Sequence, residues 1–115
     1  MQIVTEKITV TELNKMSESF SEGLVKAVVD VQQGIMAVDS ELHADLEKFL
    51  IENGSYQENL WGINIYPDLE LDDKDFVEFD SMINIRPRQN NRSRGVEDPS
   101  LRKSILNIVG NLIYR

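Results

Sequence analysis

The chain contains no cysteine, one histidine, one tryptophan and three prolines, and no stretch of it approaches the ~20 apolar residues that a membrane-spanning helix requires. The first absence excludes disulfides, thiolate metal sites, iron–sulfur clusters and a cysteine nucleophile, so folding rests on the apolar core. The second leaves one imidazole, His43, for acid–base chemistry near neutral pH. Cations are scarce as well. Twelve Lys and Arg face 20 Asp and Glu, and the formal net charge of −8 repels nucleic-acid backbones and anionic membranes alike. The N-terminal MQIVTEKITV lacks the basic cap and apolar run of an export signal, so a cytoplasmic location is expected.

What is present suffices for one domain, residues 1–115, expected to bury roughly two-thirds of the surface that the unfolded chain exposes. Residues 2–8 alternate as a short strand. Thr9 and Glu12 then stand at the spacing of a capping box before Val10, Leu13, Met16 and Phe20, which predicts a helix over 10–19. After Gly23, the residues Val25, Ala27, Val29 and Val31 alternate with Lys26, Val28, Asp30 and Gln32, the pattern of a strand with one dry face. Gln33-Gly34 reads as a hairpin turn into Ile35–Val38. A second helix starts near Asp39 or Ser40, with Leu42, Leu46, Phe49 and Leu50 on one face and Asn53-Gly54 as its stop.

From Leu60 the alternation of Trp61, Ile63 and Ile65 predicts another strand, ended by Pro67, with the tryptophan in the core. The acidic stretch DLELDDKD, residues 68–75, reads as a solvated connection. Val77, Phe79, Ile83 and Ile85 then predict one long strand with Glu78, Asp80, Asn84 and Arg86 on its other side, bulged at Ser81-Met82. Asp98-Pro99 is a strong start for a last helix whose stripe is Leu101, Ile105, Ile108 and Leu112. This order predicts an α+β domain: a mostly antiparallel sheet of four to five strands, with three amphipathic helices over one face. The other face would then collect Lys26, Asp30, Asn64, Tyr66, Glu78, Asp80, Asn84 and Arg86.

Chemistry has two candidate homes. Arg86, Arg88, Arg92 and Arg94 lie in an irregular segment without an acid, a local charge of +4 in a chain whose remainder carries −12. Guanidinium groups hold carboxylate or phosphate through paired hydrogen bonds, and Asn90, Asn91 and Ser93 add neutral donors. These arginines either grip an outside anion or pair with residues 68–75, Glu97 and Asp98. The ladder Asp80, Asn84 and Arg86 leads into this segment and can gather with Asn64 on one sheet face. His43 precedes Glu47 by one helical turn, the arrangement of a surface histidine beside a carboxylate, and a weak ligand set for a metal. Residues 68–79 fail as a calcium loop because Asp73 stands where glycine is needed and Phe79 where glutamate is. No glycine-rich phosphate loop, nucleotide fingerprint or serine elbow occurs, and no cofactor or metal is expected.

Three stretches, LVKAVVDVQQGIMAVDSELHADLEKFL, NGSYQENLWGINIYP and EFDSMINIRPRQNNRSRGVEDP, resemble a family of small bacterial proteins classed as a domain of unknown function. The likeness spans residues 2–113 and implies that ELHAD, LWGINIYP and FDSMINIRP to NRSRGVEDP are the segments by which the family is recognised. It implies no activity, substrate or cofactor.

Two functional expectations follow. In the first, a non-enzymatic binding module holds an anionic group, on a protein or a small ligand, with Arg86, Arg88, Arg92 and Arg94 carrying the charge and Asn64, Asp80, Asn84 and Asn91 orienting it. In the second, a small metal-independent hydrolase, RNA-cleaving and toxin-like, uses His43 or Asp80 to move a proton and an arginine to stabilise phosphorane-like charge. The second requires His43 to meet the arginine segment in space. The acidic balance disfavours nucleic acid as a partner, and the broad stripe of the last helix leaves room for a homodimer.

Overall fold

A computed structural model describes residues 1–20 and 23–115 of the chain. β1 (Gln2–Val4) and β2 (Ile8–Thr9) lead into α1 (Val10–Phe20), and β3 (Val25–Asp30) and β4 (Ile35–Val38) form a hairpin before α2 (His43–Glu52). β5 (Leu60–Ile65), β6 (Val77–Glu78), α3 (Pro99–Leu112) and β7 (Ile113–Tyr114) complete the order. Five strands make an antiparallel sheet, β1-β4-β3-β5-β6, and β2 pairs with β7 in a small parallel one. The fold is α+β, as the order of elements predicted.

Local signals account for most boundaries. The capping box closes as expected, with Thr9 N–H donating to Glu12 Oε2 at 3.0 Å and Glu12 N–H to Thr9 Oγ1 at 3.1 Å. Asp98 caps α3 by accepting from Ser100 N–H at 2.9 Å, with Pro99 in the first turn. The hairpin turns at Gly34, whose φ of +70° suits glycine, and Gly54 ends the α2 segment at φ +105°. α2 itself starts at His43, later than expected, because Asp39 at φ +75° lies outside the helical region.

The helices cover both faces of the sheet, not one. Val25, Ala27 and Val29 of β3 belong to a core shared with α1 and α3 through Leu13, Ile105 and Val109. Val28, on the opposite face, packs with Ala37 and Leu60 under Leu46 and Leu50 of α2. Burying each such leucine contributes about 1.5–3 kcal/mol, which is why α2 seats there. The run Ala27-Val28-Val29 is therefore a strand dry on both sides. Asp30 does not face solvent either. It is buried, and accepts from Gln32 and Gln33 N–H, Gln33 Nε2 and Ser55 Oγ. These donors outweigh burial and hold its carboxyl below the ordinary range.

The long strand expected over 77–86 is the main departure. β6 ends at Glu78, and the chain coils into short 3₁₀ turns at Met82–Asn84 and Pro87–Gln89. Ser81 starts the first turn by accepting from Ile83 N–H. Asn84, wholly buried, then does a strand's work with its side chain: Gly62 N–H donates to Asn84 Oδ1 at 2.8 Å, and Asn84 Nδ2 donates to Gly62 O at 2.9 Å. Its Nδ2 also reaches Arg94 O at 3.0 Å. The turn sits so close that a Cβ on Gly62 would fall 2.6 Å from Ser81 Cβ and 3.2 Å from Ile83 Cγ1.

Asn84→Ala should lose roughly 3 kcal/mol or more, since it leaves buried peptide groups of Gly62 and Arg94 unpaired. Gly62→Ala should lose about 1–3 kcal/mol by overpacking, partly restored by Ser81→Gly, which removes the atom in the way. Urea denaturation of the single and double variants measures both. Equal stability of Gly62→Ala and the native protein would contradict the contact.

Candidate functional site

α2 covers the end of its sheet face that carries Val28 and Leu60, and leaves the other end open. There Lys26 of β3, Asn64 of β5 and Glu78 of β6 stand in register as a row across three strands. With the start of α2 on one side and the turn after β6 on the other, they floor a cleft of about 490 Å³. His43 from α2 and Asp80, Ser81 and Arg94 from the loop complete its polar lining, and Leu42 and Met82 form an apolar rim.

His43 enters because α2 turns its His43, Leu46 and Leu50 side inward; Leu42, expected on that face, is 57% exposed. The histidine is buried at 8% exposure, against the expected surface position beside Glu47. Its Nε2 lies 2.7 Å from Ile63 O. A carbonyl only accepts, so Nε2 carries the proton and Nδ1 is the bare ring nitrogen, with no protein partner among the described residues. Burial lowers the imidazole pKa, helped by Lys26 and Arg94 and opposed by the Ile63 carbonyl and Asp80. His43 is a neutral hydrogen-bond acceptor at pH 7.

The other groups divide between used and unused capacity. Arg94 Nε donates to Asp80 Oδ1 at 2.6 Å, which leaves the terminal amino groups of the guanidinium without a protein acceptor among the described residues. Lys26 is half-buried and has no carboxylate within ion-pair distance among the described residues. Asn64 is 5% exposed; its Nδ2 donates to Glu78 Oε1 at 2.9 Å and Asp80 O at 3.3 Å, while its Oδ1 is closed off from solvent with no partner among the described residues. Tyr66 O–H donates to Glu78 Oε1 at 2.9 Å. Among the described residues no three His, Asp or Glu side chains group to hold a metal ion.

The arginines expected to act together are dispersed. Arg86 wraps the sheet edge, its guanidinium 4.0 Å from the Trp61 ring centre, donating to Gln57 O at 2.6 Å and to Leu60 O. Burial lowers its pKa and raises that of Glu47, each partly offset by the charge of the other. Arg88 and Arg92 are exposed, the latter with its backbone N–H on Glu97 Oε2 at 2.7 Å. The acidic loop does not hold them; Glu70 pairs with Arg115 and Asp75 with Lys74. Of the residues expected to bind, Arg94, Asp80 and Asn64 reach the cleft, and so does His43 of the hydrolase expectation.

Asn84 and Asn91 are structural. Asn91 Nδ2 donates to Asn84 O and Gly95 O, both at 2.8 Å, and its Oδ1 accepts from Glu97 N–H at 2.9 Å. Lys26, Glu78 and Ser81 are members that the sequence did not assign to a site, and His43 was assigned only in the hydrolase expectation. The i, i+3, i+7 spacing of His43, Leu46 and Leu50 was the available signal for the histidine; cross-strand register alone brings Lys26 to Asn64.

Fold and cleft together describe a small α+β protein with one polar recess beside a helix start, and no helix among the described residues long and apolar enough to cross a membrane. The chain belongs to the family described as protein of unknown function DUF5674, whose model matches residues 2–112. No curated protein and no solved structure matches it.

Because the folded state holds His43 neutral, the unfolded chain binds the extra proton. Stability from this site is complete above the ordinary imidazole value of 6.5 and falls as pH drops below it toward the lower folded value. Denaturation curves between pH 7.5 and 5 should show this decline, and His43→Gln should flatten it. A native slope retained in the variant would remove His43 as its source.

Proposed function

We propose that the protein is a binding module whose cleft holds an anionic group, with Lys26 and the terminal amino groups of Arg94 as its cationic grip. Asp80 holds Arg94 in place through Nε, which aims the fork without consuming it. His43 Nδ1 accepts, so the ligand carries a hydroxyl or N–H donor near its anion. The observation that carries this reading is a single cleft in which two cations, Lys26 and Arg94, retain donors with no protein acceptor among the described residues. Arg88 and Arg92 have no part in this grip, and Arg86, Asn84 and Asn91 serve the scaffold that carries it.

Titrating isotope-labelled protein with inorganic phosphate, glycerol phosphate and malate tests the proposal. Shifts should gather at the amides of Lys26, His43, Asn64, Glu78 and Arg94, and the two hydroxyl-bearing anions should bind more tightly than phosphate. Lys26→Ala/Arg94→Ala should weaken binding by about tenfold or more, a loss of ~1.4 kcal/mol, with the melting temperature retained. Arg88→Ala/Arg92→Ala should leave binding unchanged. Dependence on Arg88 and Arg92 instead would overturn the assignment.

One observation favours a second reading. His43, neutral with Nδ1 bare, shares the cleft with Asp80 and Arg94, the juxtaposition that a metal-independent hydrolase requires. Cleavage of an RNA oligonucleotide that disappears in His43→Gln would favour it. The net charge of −8 works against capture of a polyanion, so binding stands first.

A further inference from the structure

A second concavity lies on the other side of the molecule from α2, between α3 and the acidic loop that follows β5. A cleft of about 840 Å³ and a neighbouring one of about 310 Å³ share Lys74, Val77 and Leu106, and so form one continuous groove along α3. Apolar side chains stand open to solvent in it beside the charged ones: Leu69 and Leu71 are each 37% exposed and Leu106 46%. Leucines left open singly on a surface are ordinary, but three lining one groove are not. The charged side chains along it are five carboxylates against Lys74 and Arg102, and Arg102 already lies over the Phe79 ring at 4.9 Å.

Gly110 adds an independent observation. It sits on α3 in the groove, where glycine weakens a helix relative to alanine. Nothing among the described residues accounts for it: its φ lies outside the positive region, and a Cβ built there meets no atom within 4 Å. A missing side chain over open space lets another main chain approach the helix closely.

We propose that this groove docks an amphipathic helical segment of a partner protein, with an apolar stripe against Leu69, Leu71 and Leu106 and lysines or arginines toward the acidic loop. Charge complementarity selects the partner's basic flanks. Gly110 marks the crossing point of the two backbones. The mode is helix-in-groove recognition, in which apolar anchors at helical spacing supply affinity and flanking charge supplies choice. The groove meets the anion-binding cleft at Tyr66 and Glu78, but its apolar anchors Leu69, Leu71 and Leu106 lie outside that cleft, and the proposal does not depend on it.

The probe is a synthetic peptide of about 14 residues, ~21 Å as a helix, with Leu at i, i+3 and i+4 spacing and Lys elsewhere, measured by fluorescence anisotropy at ~0.15 M salt. It should bind, and Leu106→Gln and Gly110→Leu should each weaken it by tenfold or more. Gly110→Ala should raise the melting temperature by a few degrees, roughly the shift that relief of a helical glycine gives, and so shows that glycine is kept against stability. Equal binding by a Lys/Ser peptide of the same charge, or by a Leu/Glu peptide, would overturn the proposal. So would native affinity in both groove variants. Sedimentation that shows self-association abolished by Leu106→Gln would give the groove to a second copy and overturn it too.

Discussion

A single carboxamide against a single glycine organises the C-terminal half of this protein. β5 is a central strand that needs a hydrogen-bonding neighbour along its outer edge, and β6 supplies one only opposite Asn64 and Ile65. Beyond that the peptide of Gly62 is satisfied by the side chain of Asn84, both groups facing each other as two strands would. An amide side chain reproduces the donor and acceptor of a peptide unit, and it releases its own backbone to turn. The absence of a Cβ at Gly62 is what lets Ser81 and Ile83 come close enough for the exchange.

From that clamp the loop over residues 79–97 is built inward, on amides. Asn91 ties Asn84, Ser93, Gly95 and Glu97 together, and the Glu97 carboxylate, accepting from Arg92 and Ser93 N–H, is held below its ordinary pKa. Arg86 is fastened to the sheet edge by Trp61 and two carbonyls. Arg94 is carried to the recess, where Asp80 meets it. One arginine therefore became scaffold and another became a candidate ligand contact, although in the sequence they are the same residue type eight positions apart.

The legible part of the fold was the part governed by spacing. The capping box, the Asp98-Pro99 start, the Gly34 turn and the stripes of α1 and α3 all act within a few residues, where local geometry and burial agree. Misreadings arose where a distant element changed what a pattern meant. Val28 looked like an outward residue until α2 covered it, and Ile83 and Ile85 looked like strand positions until Asn84 turned the chain. The polar face was reduced to its open end for the same reason. In the cleft, Asp80, Asn64 and Arg94 come together, whereas Arg88 and Arg92, close to Arg94 in sequence, do not line it.

By itself the sequence determined the α+β class, the excess of negative charge and most helix ends, because composition and short-range periodicity carry that information. Only the tertiary structure decided which face α2 covers, that Lys26, Asn64 and Glu78 share a row, and that His43 is buried with its Nδ1 bare. Those outcomes depend on register and packing between residues 14 or more positions apart, and a cross-strand neighbour has no signature in either strand alone.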